Sequence, residues 1–358
     1  MLIFLLPKKT LNILSLLCHK KILDFPHTIK VGGIKMNHKN ILIIGGTGSL
    51  GVGLIKELLA SDVASIKVFA RNEHKMFSMQ QTFLSPKIDI VIGDIKEKDS
   101  IDKACKDIDI IYHLAALKHV PICEKMPNEA IATNILGTKN VIDAAIKNQV
   151  KHVVFASTDK AVNPDCTYGT SKLMGEKMIL SANAEPSNTK FTVFRGGNLL
   201  NSAGSVIPLF EKQIDETQAV TLTDEKMSRF FLSIQSAAKM MIEISLRSAG
   251  GEIFIPRMPQ IKVKDIAKYL LNKKEVSDTN ISIIGLRPGE KVKEQIISEN
   301  EKEYLFEFSK ELYVVLKNDN HRWEANHIVK KYDLKNETSK KELLSYEEAT
   351  IFLKQAGV

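Results

Sequence analysis

Short apolar runs separated by stretches of helical periodicity recur from residue 40 onward, and they predict alternating strands and helices. Asn40-Ile-Leu-Ile-Ile44, Ile66-Lys-Val-Phe-Ala70 and Ile88-Asp-Ile-Val-Ile92 read as the first three strands. Ile110 to Leu117, His152-Val-Val-Phe-Ala156 and Phe191-Thr-Val-Phe-Arg195 follow, with Glu252-Ile-Phe-Ile-Pro256 as a last strand. Between them, Leu54, Ile55, Leu58 and Leu59 fall at helical spacing, and Ala132, Ile135, Leu136, Val141 and Ala145 predict one long helix over Asn128–Asn148. Strands alternating with helices predict an α/β fold: a Rossmann-type doubly wound parallel sheet with a smaller, interleaved substrate-binding lobe. The boundaries expected are 36–195 plus about 230–257 for the sheet domain and about 196–229 plus 258–300 for the smaller lobe. Residues 301–358 are charged and loosely periodic; a peripheral helix or an oligomer contact is expected there, with no chemistry assigned.

Composition narrows this little. With 358 residues, 44% hydrophobic and 26% charged, the chain has the make-up of an ordinary globular protein, which excludes disordered and fibrous classes. The formal charge of +8 would raise nucleic acid as a partner. However, residues 1–35 hold six lysines against the single acid Asp24, leaving only +3 for 36–358. No groove-reading motif is present, so no nucleic-acid partner is expected. The apolar runs Leu2–Leu6 and Leu11–Leu17 are too short to span a membrane and lack the flanks of a secretory signal. Residues 1–35 are expected to be a mis-assigned start or an extension, with Met36 as the preferred start because Gly32-Gly33 can be encoded by a purine-rich ribosome-binding sequence. The four cysteines show no metal or redox spacing, which suits a reducing cytoplasm and predicts no metal.

The first strand runs straight into Gly45-Gly46-Thr47-Gly48-Ser49-Leu50-Gly51, followed by the first helix. Strand, glycine turn and helix in this order are a dinucleotide fingerprint, with the turn and the helix N-terminus set against the pyrophosphate. At the end of the second strand an NAD site calls for an acid, but Arg71 stands there with Lys75 one turn on, which favours the 2′-phosphate of NADP; a solvated surface arginine is the alternative. Asp94 and Ile95 after the third strand are placed against adenine, and the small Ala115 and Ala116 after the fourth let the strand end approach the cofactor.

The fifth strand delivers Ser157-Thr158-Asp159-Lys160, and Tyr168 and Lys172 follow one helical turn apart. A phenol with a reference pKa of ~10 is a poor base; a neighbouring ammonium stabilises the phenolate and makes Tyr168 competent to take an alcohol proton as hydride leaves. Ser157 or Thr158 would hold the same alcohol. Asp159-Lys160 is more than an oxidation needs. Once an alcohol is a ketone, the adjacent C–H is acidic; Lys160 could remove that proton while a protonated Asp159 gives one to a departing hydroxide. A self-neutralising pair capping the loop into Asn163-Pro164 is the alternative.

Gly-Gly-Thr-Gly-Ser-Leu-Gly, Ala-Ala-Leu-Lys118-His119-Val-Pro, Ser-Thr-Asp-Lys-Ala-Val-Asn-Pro and Tyr168-Gly-x-Ser-Lys172 resemble the soluble UDP-N-acetylglucosamine 4,6-dehydratases, extended short-chain dehydrogenases/reductases, and most of all the C5-inverting type that begins pseudaminic acid synthesis. The similarity runs from about Asn40 to about Ser298. It implies an NADP-dependent lyase in which Tyr168 deprotonates the 4-hydroxyl, Lys160 takes the C5 proton and Asp159 protonates the leaving 6-hydroxyl. It also implies that Lys118, Asn198, Ser205 and Val206 contact cofactor or nucleotide sugar, that Arg229 and Arg287 take the two phosphates, and that Glu290 belongs to the substrate motif Arg287-Pro-Gly-Glu-Lys291. Gly196-Gly197, Ala203 and Lys293 stand where the family commonly has Tyr-Gly, arginine and histidine. A homo-oligomer is expected. The rival readings are a nucleotide-sugar 4- or 5-epimerase, which needs no Asp159-Lys160, and a non-catalytic NADP-sensing protein.

Overall fold

The computed structural model describes residues 35–316, 330–332 and 343–358; the leader through residue 34 lies outside the described residues. Its centre is a sheet whose strands are β1 (Asn40–Ile44), β2 (Ser65–Ala70), β3 (Ile88–Ile92), β4 (Ile110–His113), β5 (His152–Thr158), β6 (Lys190–Gly196) and β10 (Ile253–Pro256), all parallel, with β13 (Leu305–Glu307), β14 (Leu312–Val315) and β15 (Lys330–Lys331) added antiparallel at one edge. Among the described residues the order is β15-β13-β14-β10-β6-β5-β4-β1-β2-β3. The direction of winding reverses between β1 and β4, so a crevice opens at their carboxyl ends, where ligands bind in such sheets.

The apolar runs of the inner strands β1, β4, β5, β6 and β10 are buried because the sheet there is covered on both faces, whereas the edge strand β3 leaves Asp89 and Ile92 exposed. Successive side chains point to opposite sides: Ile41 and Ile43 pack into one core with Leu54, Ile55 and Met241, whereas Leu42 and Ile44 pack into the other with Ile101, Val141 and Ile179. The sheet is thus a septum between two cores, and burial of those rows holds the strand ends in place.

A third core lies apart from the first two. The small sheet of β7 (Asn198–Leu199), β9 (Ser228–Leu232) and β11 (Gln260–Lys262) and the pair β8 (Val220–Leu222) and β12 (Ile281–Ile283) surround it. Ile207, Phe210, Phe231, Ile266 and Leu270 fill it, and so do Phe352 and Leu353 of the helix Tyr346–Gln355, which gives that late helix a packing role. One buried cation fixes the main sheet to the chain beyond it: Arg195 on β6 pairs with Glu176 at 2.7 Å and with Glu301 at 2.8 Å. Among the described residues, no helix is long and apolar enough to cross a membrane.

The stretch expected as one long helix is interrupted. Pro127–Ala130 and Gly137–Lys147 are α-helical, but Ile131–Leu136 between them is a widened π turn. The Thr138 hydroxyl donates to the Asn134 carbonyl at 2.7 Å, a side-chain bond that competes with regular helix pairing. The bulge turns Asn134 inward, where it bonds both backbone groups of Leu117 and donates to Ser171 Oγ.

Candidate active site

The crevice holds a cavity of about 700 Å³. Its upper wall is the glycine turn. Gly45 sits at φ +83°, and a side chain there would meet the Ala115 backbone at 2.8 Å; a side chain at Gly51 would meet Gly46 O at 2.3 Å. Only glycine allows strand, turn and helix to close so tightly. The helix Ser49–Leu59 begins at Gly48 with no side-chain cap, so its first N–H groups face Thr47, Gly48 and the cavity, a ready site for phosphate. Leu50 and the small Ala115 and Ala116 complete this wall, and Ile95 with Gly93 closes the end beyond β3. This cradle fits a dinucleotide.

One end of the cavity is cationic. Arg71, Lys75 and Lys118 all line it; desolvation and the charge of Lys75 lower the Lys118 pKa. Asp94 is outside the lining and instead holds Arg71, with Oδ2 at 3.5 Å from Nη1. Lys118 donates to the Ala203 carbonyl at 2.9 Å, and the Ala203 N–H donates to Ser49 Oγ at 2.9 Å, so the loop after β7 is fastened to both the cationic end and the phosphate turn.

The floor is the carboxyl end of β5. Ser157 presents a buried hydroxyl without a hydrogen-bond partner. Thr158 donates to Asp159 Oδ1 at 2.9 Å and lies near enough to the Tyr168 hydroxyl to oppose the rise of its pKa. Lys160 reaches the same Oδ1 at 3.1 Å, while Asp159 Oδ2 is buried and unpartnered. Thr158, Lys160 and Tyr168 line the cavity; Asp159 lies just beneath it. Lys172 is buried one turn beyond Tyr168, its Nζ 3.8 Å from the centre of the Phe155 ring.

Charges here differ from the sequence-based expectation. Burial raises the Tyr168 pKa, with Thr158 opposing it, so Lys172 does not by itself prepare a phenolate in the unliganded protein. Burial pushes Lys172 down to about 7, with Glu176 opposing. For Lys160 burial also lowers the pKa, but Asp159 and Glu294 outweigh it and the net shift is upward. Lys160 is therefore an ammonium at rest, not a free base.

Glu294 is the residue the sequence did not reveal. Its Oε1 is 3.4 Å from Lys160 Nζ and its Oε2 is buried without a partner. It sits in a run of charges after Glu290 that reads as solvated, and only the fold brings it to β5. Thr133 and His119 also line the cavity without having been singled out.

On the sugar side, Asn198 and Ser205 line the cavity, and Ser205 Oγ is buried without a partner. Val206 opens the helix Val206–Thr217 beside them. Arg229 lies off the cavity, with Nη1 donating to Ser228 O and Val292 O and Nη2 to Lys291 O. Arg287 is exposed, and Glu290 accepts a 3.1 Å bond from the Arg287 N–H; neither lines the cavity.

Residues 41–316 match the family described as polysaccharide biosynthesis protein. The chain belongs to this family. Within the family's range, it is 42% identical to the UDP-N-acetylglucosamine 4,6-dehydratase (inverting) of Campylobacter jejuni, over 76% of this chain and 81% of that protein. It is 39% identical to the UDP-glucose 4-epimerase of Rickettsia massiliae, over 74% and 79%. The crystal structure of Pen from Bacillus thuringiensis superposes with a TM-score of 0.79 at 38% identity, covering 88% of this chain and 98% of that one. More distant dehydratase and epimerase structures solved with NAD, at 19% identity, share the fold. This member of the polysaccharide biosynthesis protein family is thus an enzyme of the nucleotide-sugar dehydratase and epimerase type, on a short-chain dehydrogenase/reductase fold.

Proposed function

We propose that the chain dehydrates UDP-N-acetylglucosamine, with NADP, to a UDP-4-keto-6-deoxy-N-acetylhexosamine with inversion at C5. The observation that carries this reading is the pair of buried Asp159 and half-buried Lys160 at the cavity wall beside Tyr168, with Thr158 donating to the carboxylate. An oxidation or a C4 epimerisation needs the tyrosine alone; a buried carboxylate held against a lysine beside it is costly unless a second proton transfer uses them. The 42% identity to an inverting dehydratase supports the same reading, including the stereochemistry.

When bound, the nicotinamide supplies the acceptor for hydride from C4 and its donor to C6. Tyr168 takes the 4-hydroxyl proton, with the free Ser157 hydroxyl placed to hold the sugar oxygen. Lys172, one turn on, supplies the positive charge that stabilises the phenolate. Lys160 removes the C5 proton and Asp159 protonates the departing 6-hydroxyl.

Arg71, Lys75 and Lys118 support NADP over NAD, because a 2′-phosphate would bring negative charge to a cationic end. For the sugar nucleotide, Lys118, Asn198, Ser205 and the uncapped start of the helix at Val206 face the cavity or border it. Arg229 acts in this reading by shaping the 291–292 backbone, and Arg287 supplies a phosphate contact from the rim, its loop held by Glu290. We place the enzyme in the cytoplasm, in keeping with three free, buried cysteines, and as a homo-oligomer, in keeping with the exposed Ile131, Leu136 and Met174.

Proton NMR of the protein with UDP-N-acetylglucosamine and NADP in deuterated water tests the reading. A new C6 methyl signal with deuterium at C5 is expected, and the ring couplings report inversion. A sugar that keeps its C6 hydroxyl and changes only at C4 would establish the epimerase reading, which the 39% identity to the Rickettsia enzyme favours.

A further inference from the structure

The segment carrying Glu294 is fastened from two sides. Arg229 on β9 donates to the carbonyls of Lys291 at 2.7 Å and Val292 at 3.1 Å, and the Ser228 N–H donates to Val292 O at 3.1 Å. Towards the turn after β5, Lys291 donates to the Asn163 carbonyl and pairs with Asp165 at 3.4 Å, while Gln295 accepts a 2.8 Å bond from Asn163. These anchors leave Glu294 facing Lys160, with its side chain only 3% exposed.

Lys160 therefore lies between two buried carboxylates. Each carboxylate directs one oxygen at the ammonium, and each keeps a second, Asp159 Oδ2 and Glu294 Oε2, buried and without a partner. Arg229 beside the trio supplies a second positive charge, so the formal charges of the two acids are matched. The other charged or titratable groups around it are Arg229 from β9, Tyr168 from its helix, and Cys166, which feels both Lys160 and Glu294.

We propose that Glu294 is a positioning residue that acts through Lys160, taking its proton so that Lys160 becomes a free amine able to take the C5 proton. The inference rests on the dehydratase reading and deepens it. When elimination begins, Asp159 holds the proton that Tyr168 took from the 4-hydroxyl, passed on through the Thr158 hydroxyl that donates to Asp159, and Lys160 is an ammonium facing Glu294. An N–H bond of Lys160 breaks and an O–H bond forms on Glu294 Oε1, the electron pair remaining on Nζ; the trio's proton count and neutrality are unchanged. The amine then takes the C5 proton, the C5–H electrons form the C5–C6 double bond, and the C6–O bond breaks as Asp159 gives its proton to the oxygen, which leaves as water. Lys160, again an ammonium, can return a proton to C5 and recover its own from Glu294. Asp159 has by then given the 4-hydroxyl proton to the departing water, and Tyr168 and Asp159 are as they were before C4 oxidation. The cycle closes with no outside acid.

Glu294→Gln cannot take the proton from Lys160. The experiment compares wild type, Glu294→Gln and Glu294→Asp with UDP-N-acetylglucosamine and NADP. It follows C4 oxidation by the absorbance of the reduced nicotinamide and water loss by the C6 methyl signal. For Glu294→Gln, kcat for water loss should fall ~100-fold or more, the lower range of general acid–base effects, with KM changed less than about threefold on the same footing. Reduced nicotinamide should accumulate, which also shows that the variant is folded. Glu294→Asp, which keeps a carboxylate able to accept the Lys160 proton, should recover the rate in part. Water loss by Glu294→Gln at the wild-type rate overturns the inference alone, as does parallel loss of C4 oxidation and water loss. Wild-type protein that turns over the sugar without forming a 6-deoxy product overturns the dehydratase reading and the inference with it.

Discussion

Arg71 and Asp94 stand at the ends of neighbouring strands β2 and β3 with their side chains 3.5 Å apart, so the guanidinium is oriented by an acid that is itself outside the cavity lining. A more than half-exposed arginine would otherwise sample many rotamers. Arg71→Ala should weaken NADP about 10- to 100-fold, the range of one charged hydrogen-bonding contact, and leave NAD nearly unchanged. Titration of the protein with each dinucleotide checks this; equal losses for the two would show that Arg71 does not read the 2′-phosphate.

Lys160→Ala should separate the two halves of the reaction. With Tyr168 and Thr158 intact, C4 oxidation persists and reduced nicotinamide builds up, while the C6 methyl product falls by ~100-fold or more. Product formation at the wild-type rate would remove Lys160 from the elimination.

Lys172 gives the stability a pH dependence of known sign. Its pKa is about 7 when folded and near its ordinary 10.5 when unfolded. Between those values the unfolded chain binds the extra proton, so this group's contribution makes the protein more stable as pH rises through that window. The cost of burying the ammonium is fully present below about pH 7. Lys172→Met should therefore raise the Tm of the unliganded protein more at about pH 6.5 than at about pH 10. An equal gain at both pH values would mean that the buried group does not titrate there.

Arg195→Met leaves Glu176 and Glu301 buried and facing each other's charge. Breaking a buried ion pair in this one-sided way costs about 3–5 kcal/mol. Urea unfolding should show that loss, and Arg195→Met combined with Glu176→Gln and Glu301→Gln should recover part of it.

Much of the fold was legible because parallel strands covered on both sides are written as unbroken apolar runs: Asn40–Ile44 and His152–Ala156 were plain for that reason. The glycine turn, Arg71 and the Tyr168–Lys172 spacing were legible because each is local. The π turn at Ile131–Leu136 was not, since the pattern of Ala132, Ile135 and Leu136 is unchanged by one widened turn. Glu294 was hidden for the opposite reason: its partners lie on β5 and β9, and nothing near it in the chain records that meeting. The use of Arg229 on backbone carbonyls was likewise invisible, because an arginine that shapes a loop and one that grips phosphate are the same letter.

The bridge from Ser49 through Ala203 to Lys118 has a thermodynamic corollary. Ser49 opens the helix on which a dinucleotide would rest, and Ala203 belongs to the loop beside which a sugar nucleotide would lie. A ligand that shifts this shared peptide changes the surroundings of the other ligand, and linkage requires the effect to be reciprocal, each altering the other's binding constant by the same factor.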